Sequence, residues 1–227
     1  KNSRNVRKPS YSLKKTGENI PKIKYKKICV LIPLYNEEES LGNLAKEIDK
    51  VFQNIASDYE ILFIDDGSSD NSLKVIKEIA RSNSKVRYLS FRKNYGKSAA
   101  LNVGFKHVSG DVVVTMDADL QDDPNEIPNL LQELQKGYDL VSGWKKHRHD
   151  PFVKKYSSRF FNYVTKIMSG INIHDFNCGL KVYSKRAAKS LDLYGEMHRY
   201  TPVLAKRNGF SVGEKTVNHR PRKFGSS

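Results

Sequence analysis

The chain has little that could staple or cage a fold. Its 227 residues hold two cysteines, Cys29 and Cys178, far apart and without the paired spacing of a zinc or redox site. They read as reduced thiols of a cytosolic protein. No apolar run approaches the ~18 residues of a membrane-spanning helix. The longest, Ile61-Leu62-Phe63-Ile64 and Val112-Val113-Val114, are strand-sized. The N-terminus lacks the apolar stretch of a signal peptide. Glycine is missing where a dinucleotide fold needs it, since the first strand runs into Pro33-Leu34-Tyr35-Asn36-Glu37-Glu38. Gly96-Lys97-Ser98 could end a phosphate-binding loop only with glycine at position 91, where Phe91 stands. A phosphate must therefore be held by something other than a glycine cradle.

Acids are scarce at the start. Residues 1–27 carry ten Lys/Arg against Glu18 alone, within a formal net charge of +15. Such charge attracts anionic membrane surfaces or nucleic acid. No nucleic-acid-binding motif accompanies it, so nucleic acid is not expected as a partner. At 38% hydrophobic residues the chain is too apolar for disorder and suits one well-cored domain. Residues 1–26 read as a basic, flexible segment and 27–227 as the folded domain.

What is present is an alternation. Apolar runs at 28–32, 59–64, 86–90 and 111–116 read as buried strands. Between them, 38–53, 69–81 and 97–108 have helical spacing, and 125–135 follows as a helix opened by Asp123-Pro124. This pattern predicts an α/β fold, a mainly parallel, Rossmann-like sheet with helices on both faces. Ligands bind at the carboxyl ends of strands in such sheets. Two of those ends are acidic: Asp65-Asp66-Gly67-Ser68-Ser69-Asp70, and Asp117-Ala118-Asp119-Leu120-Gln121-Asp122-Asp123. Strand alternation places Asp117 and Asp119 on one side, where a hard cation such as Mg²⁺ or Mn²⁺ would relieve their repulsion. Asp122 and Asp123 read as helix caps, Asp70 as a turn residue, and Asp65 as structural. Small Ala99, Ala100 and Gly104 after Lys97 let a helix approach the sheet.

These motifs, with Asn94-Tyr95-Gly96-Lys97 between them, resemble glycosyltransferase family 2 with its GT-A fold. The likeness runs from about Lys27 to Ser227. The later segments resemble the polyprenyl-phosphate glycosyltransferases within it. The resemblance implies a nucleotide-sugar pocket at Pro33, Tyr35, Glu37, Ile64, Asp66, Lys97, Asp117, Ala118 and Asp119. It implies a divalent metal on Asp117 and Asp119, with Gln121 as a neighbouring ligand. Tyr35 would offer a stacking face, and the acids would accept from base and ribose donors.

From Trp144 onward the alternation gives way to a basic, aromatic stretch. Lys145, Lys146, Arg148, Lys154, Lys155 and Arg159 accompany Phe152, Val153, Tyr156, Phe160, Tyr163, Val164 and Ile167. This spacing predicts an amphipathic acceptor-side helix with a cationic face. Asp175-Phe176-Asn177-Cys178-Gly179-Leu180 forms a turn before a strand at 181–183. His219-Arg220-Pro221-Arg222-Lys223-Phe224-Gly225-Ser226 supplies cations. By the resemblance, Asp117, Asp119, Asp175 and Arg220 have catalytic roles, while Arg148, Arg220, Arg222, Lys223 and Ser226 bind phosphate or acceptor. The expected reaction is inverting hexose transfer from a UDP- or GDP-sugar to a polyprenyl phosphate at the cytoplasmic membrane face. Such a phosphate is ionised near neutral pH and needs no base. With a sugar-hydroxyl acceptor, the alternative, Asp175 would be the base. A nonenzymatic nucleotide-sugar or anionic-surface binding module is the alternative of another class. Membrane helices are expected to follow residue 227, and self-association stays open.

Overall fold

The computed structural model describes residues 23–55, 57–146 and 162–221. Strands and helices alternate as β1 (Lys27–Leu34), α1 (Leu41–Phe52), β2 (Asp58–Asp65), α2 (Ser72–Ser82), β3 (Val86–Ser90), α3 (Lys97–His107) and β4 (Val112–Thr115). A 3-10 turn at Pro124–Glu126 leads into α4 (Ile127–Leu134), then β5 (Leu140–Trp144) and a helix at 162–169, here α5. The chain continues through β6 (Lys181–Ser184), α6 (Lys185–Ser190), α7 (Thr201–Arg207) and β7 (Val212–Thr216).

Among the described residues seven strands form one sheet, in the order β3-β2-β1-β4-β6-β5-β7. It is parallel except that β6 runs antiparallel to both β4 and β5. Strand β1 shows why its sequence is apolar without a break. Ile28, Val30 and Ile32 pack into one layer with Leu41, Leu44 and Ile48 of α1. Cys29 and Leu31 pack into the opposite layer with Ala100, Leu101 and Phe105 of α3. A strand covered on both faces has no polar side to show. Each fully buried Leu or Ile of these layers contributes roughly 1.5–3 kcal/mol. Gly104 lets α3 lie close, because a Cβ there would overlap the Leu31 side chain.

The reversal of β6 decides which loops share an edge. Thr115 at the end of β4 and Ser142 in β5 both pair with Lys181, the first residue of β6. The segment before β6 therefore lies at the same sheet edge as the segments after β1, β2, β4 and β5. Contacts with the core extend back to Ile23 and Tyr25, inside the segment expected to be flexible. They are tied by Lys24 N–H on Gln135 Oε1 and by Ser57 Oγ on the Tyr25 carbonyl, both at 2.6 Å. Helix α5 exposes Tyr163, Ile167 and Met168. The earlier part of the expected amphipathic helix, including Arg148, lies outside the described residues, as do Arg222, Lys223 and Ser226. Among the described residues no helix is long and apolar enough to cross a membrane.

Candidate functional site

The loops after β1 and β2 interlock. Asn36 adopts a φ of +56°, a left-handed conformation that Asn tolerates better than most residues. Its Oδ1 accepts from Ser69 N–H at 2.8 Å, and its own N–H donates to Ser68 Oγ at 2.9 Å. Asp70 accepts from the Glu38 and Ser72 amides, the turn role expected of it. Asp65 is fully buried and accepts from Ser68 N–H and Ser90 Oγ, a structural role as expected. Asp66 accepts from the amides of Tyr95 at 2.7 Å and Gly96 at 2.8 Å. Those two bonds hold the loop that opens α3.

Between these loops and the end of β4 lies a cavity of about 270 Å³. From β1 and its loop it takes Pro33, Tyr35 and Glu37; Asp66 follows β2, and Gly96 and Lys97 begin α3. Asp117, Ala118 and Asp119 close it from the β4 side. Tyr35 is 46% exposed, so a ring face is open to a ligand. Strand β4 ends at Thr115, so it is a turn, not strand alternation, that brings both carboxylates to the cavity. Leu120 at φ +62° and the Gln121 amide on Asp119 Oδ1 at 3.1 Å shape that turn.

The two carboxylates are shifted in opposite directions. Burial would raise Asp117, but Lys97 and Lys145 outweigh it and hold the carboxyl down at about 2. The Lys97 ammonium is hydrogen-bonded directly to Asp117 Oδ1. Asp119 lies above its usual range, through burial and then the charges of Asp117 and Asp122. An added cation would relieve that repulsion. Among the described residues no three His, Cys, Asp or Glu side chains are grouped to hold a metal. The pair still fits Mg²⁺ or Mn²⁺, which is usually held by one or two carboxylates with substrate phosphates completing its shell.

Other expected site residues lie elsewhere. Ile64 is fully buried in the core layer that holds Leu62 and Leu101, and does not line the cavity. Gln121 is also outside the lining; its carbonyl accepts from Arg220 N–H at 2.9 Å. The Arg220 guanidinium sits between Glu47 at 2.5 Å and Asp123 at 2.6 Å, away from the cavity lining. Asp175 is 1% exposed, and its Oδ1 accepts from Asn177 N–H at 3.1 Å. Asp123 is a cap, accepting from Asn125 N–H at 2.9 Å. Asp122 is not. It is fully buried, accepts from Asp117 N–H at 3.1 Å and lies 2.8 Å from Lys145 Nζ. Lys145, expected on the cationic face of the amphipathic helix, is thus an internal counter-ion. Lys181 and His198, which no motif pointed to, stand beside Asp117 in an adjoining recess.

The family described as Glycosyl transferase family 2 matches residues 29–192. Among solved structures, the chain is similar to glucosyl-3-phosphoglycerate synthase from Mycobacterium tuberculosis in complex with Mn²⁺ and UDP-glucose. That match has 21% identity and a TM-score of 0.64, covering 87% of this chain and 72% of the other. Mannosyl-3-phosphoglycerate synthase from Rubrobacter xylanophilus is similar at 17% identity and a TM-score of 0.68, over 86% and 68% of the two chains. A mannosyltransferase from Pyrobaculum calidifontis, in complex with GDP-mannose and Mn²⁺, has 20% identity and a TM-score of 0.63, over 90% and 59%. At these identities the likeness speaks for the fold.

Proposed function

The chain belongs to glycosyl transferase family 2, and from that premise we propose that it moves a hexose from a UDP- or GDP-sugar bound in the cavity at the ends of β1, β2 and β4. One observation carries this reading: a single cavity joins the open Tyr35 ring, the Asp117–Asp119 pair and Lys97. The ring suits a base, and the acid pair suits a divalent ion on the donor's diphosphate. Similar structures hold Mn²⁺ with UDP-glucose or GDP-mannose. When bound, that ion supplies charge neutralisation to the departing nucleoside diphosphate. The chain's own contribution is positional. Asp66 fixes the Tyr95–Gly96 wall, and Lys97 adds a cation bonded to Asp117.

A hydroxyl acceptor is the better supported choice, because two of the similar proteins are named for products on phosphoglycerate. Asp175 is only 1% exposed and lines neither recess, so the structure does not favour it as the base. The polyprenyl-phosphate acceptor is the second reading. It is favoured by the motifs around Asp175 and His219, and by the exposed Tyr163, Ile167 and Met168, which suit a lipid surface. That reading places the enzyme on the cytoplasmic membrane face.

Thermal melts with UDP- and GDP-sugars, each with and without Mn²⁺, test the donor side by mass action. One nucleotide should stabilise the wild type in the presence of Mn²⁺ and leave Asp117→Asn unmoved. Equal stabilisation of both proteins, or binding without turnover on any acceptor, would count against a transferase.

A further inference from the structure

The donor cavity continues past Asp117 into a smaller recess of about 20 Å³ that shares Pro33, Lys97 and Asp117 with it. Its other polar lining includes Asn177 before β6, Lys181 at the start of β6, and His198 in the turn before α7. The donor reading uses none of these three.

Lys181 is the least expected of them. It is 3% exposed, and its ammonium donates to the Cys178 carbonyl, which takes one of three protons. Burying an ammonium is costly unless it is paired and its protons are hydrogen-bonded. Burial holds its pKa below the usual lysine range, against the opposing pull of Cys178 and Asp175. His198 is fixed by Ser98, whose Oγ accepts its backbone N–H at 2.9 Å and lies 3.0 Å from its Nδ1. Burial and the Lys97 charge drop His198 to about 4, so the ring is neutral and offers an N–H without a charge. Lys97, Lys181 and the His198 ring thus line one recess with Asp117, to which Lys97 is bonded, while Asp175 acts on Lys181 and Glu196 stands 4.0 Å from His198 Nε2. Grouped N–H donors, of which the Lys181 ammonium has protons beyond its one bond, suit an anionic oxygen.

We propose that this recess is an oxyanion subsite for a phosphate monoester carried by the acceptor, with Lys97, Lys181 and His198 as its donors. The assignment rests on the donor reading given above. A space of this size admits about one oxygen-sized group. One phosphoryl oxygen would enter it, and the rest of the phosphate would lie in the larger cavity. The shared wall then keeps the acceptor beside the donor sugar, as a reactive geometry requires. The phosphate has two chemical sources. In a polyprenyl phosphate it is the nucleophile itself; in a phosphorylated hydroxy acid it is a handle that presents a neighbouring hydroxyl.

The test saturates the protein with nucleoside diphosphate and Mn²⁺, then adds inorganic phosphate and follows the melting temperature of wild type, Lys181→Met and His198→Leu. Phosphate should stabilise the wild type further, with at least tenfold weaker affinity in both variants. The nucleotide's own shift should be unchanged in all three, which also reports that each variant is folded. Equal phosphate affinity in wild type and variants overturns the subsite, as does no phosphate effect on nucleotide-saturated wild type. Failure of the nucleotide to stabilise the wild type would sink the donor reading instead. Turnover of a short-chain polyprenyl phosphate in detergent, against phosphoglycerate, identifies the source. Whichever reacts should show a KM raised tenfold or more by Lys181→Met, and an unchanged KM rejects the assignment.

Discussion

The Lys145 ammonium lies 2.8 Å from Oδ1 of Asp122, a carboxylate with no exposed surface whose other oxygen accepts the Asp117 amide. An internal ion pair thus stands directly behind the acid turn that closes the donor cavity. Pairs of this kind add little net stability, but removing one member strands a buried charge.

Lys145→Met should therefore cost about 3–5 kcal/mol in urea unfolding. The double variant Lys145→Met/Asp122→Leu should recover most of that loss. It should not recover Mn²⁺ affinity measured by electron paramagnetic resonance, because the Asp117 amide has lost its acceptor. Full recovery of both would reduce the pair to a packing element.

Gly179 bears on the same carboxylate from the other side. A Cβ there would stand 2.6 Å from Asp117 Cγ, and Asp117 is already clamped by Lys97. Gly179→Ala should displace the carboxylate and weaken Mn²⁺-dependent nucleotide binding roughly tenfold, equivalent to about 1.4 kcal/mol. Calorimetric titration reads this directly, and an unaltered dissociation constant would reject it.

Asp66 has both oxygens committed to the Tyr95 and Gly96 amides. Asparagine can accept with one oxygen only, so Asp66→Asn leaves an amide without its acceptor at a cost of about 1–3 kcal/mol. Nucleoside diphosphate should bind more weakly as the Tyr95–Gly96 wall loosens. Native affinity in the variant would show that the wall holds without the carboxylate.

Acid sensitivity should trace to Glu60, 3% exposed on β2. Burial raises its pKa, but bonds from Ser109 and Cys29 and the charge of Lys27 outweigh that and bring it from 4.5 to about 2. Since the folded value is the lower one, its contribution is complete above the unfolded pKa near 4.5 and disappears as pH falls toward 2. The amount is at most about 3 kcal/mol. Glu60→Gln should flatten the stability profile in that window; parallel profiles would remove Glu60 from the account.

The first half of the fold was readable because its strands are covered on both faces. Continuous apolar runs at 28–32 and 59–64 became β1 and β2 with little change of boundary. Strands β5 and β7 escaped notice. Their segments, Leu140–Trp144 and Val212–Thr216, are short and carry Gly143 and Gly213 among polar neighbours, so no period stands out. Asp117 and Asp119 were legible from their place after a buried strand. Asp122 was misread because a cap and an internal ion pair look alike until the partner, here 23 positions away, is known. Lys181 left one trace, a lysine set between the apolar Leu180 and Val182. His198 left none, since Ser98, which holds it, is a hundred positions earlier.

The direction of β6 has an evolutionary corollary. Because that strand opposes its neighbours, the groove's second wall is built by residues that precede a strand, while the first wall is built by residues that follow one. Nothing before Asp119 need change when the stretch ahead of Asp175 is lengthened or exchanged, provided Gly179, which packs on Asp117, is kept. A chimera that grafts another family member's segment there should inherit a new acceptor taste and keep the old donor.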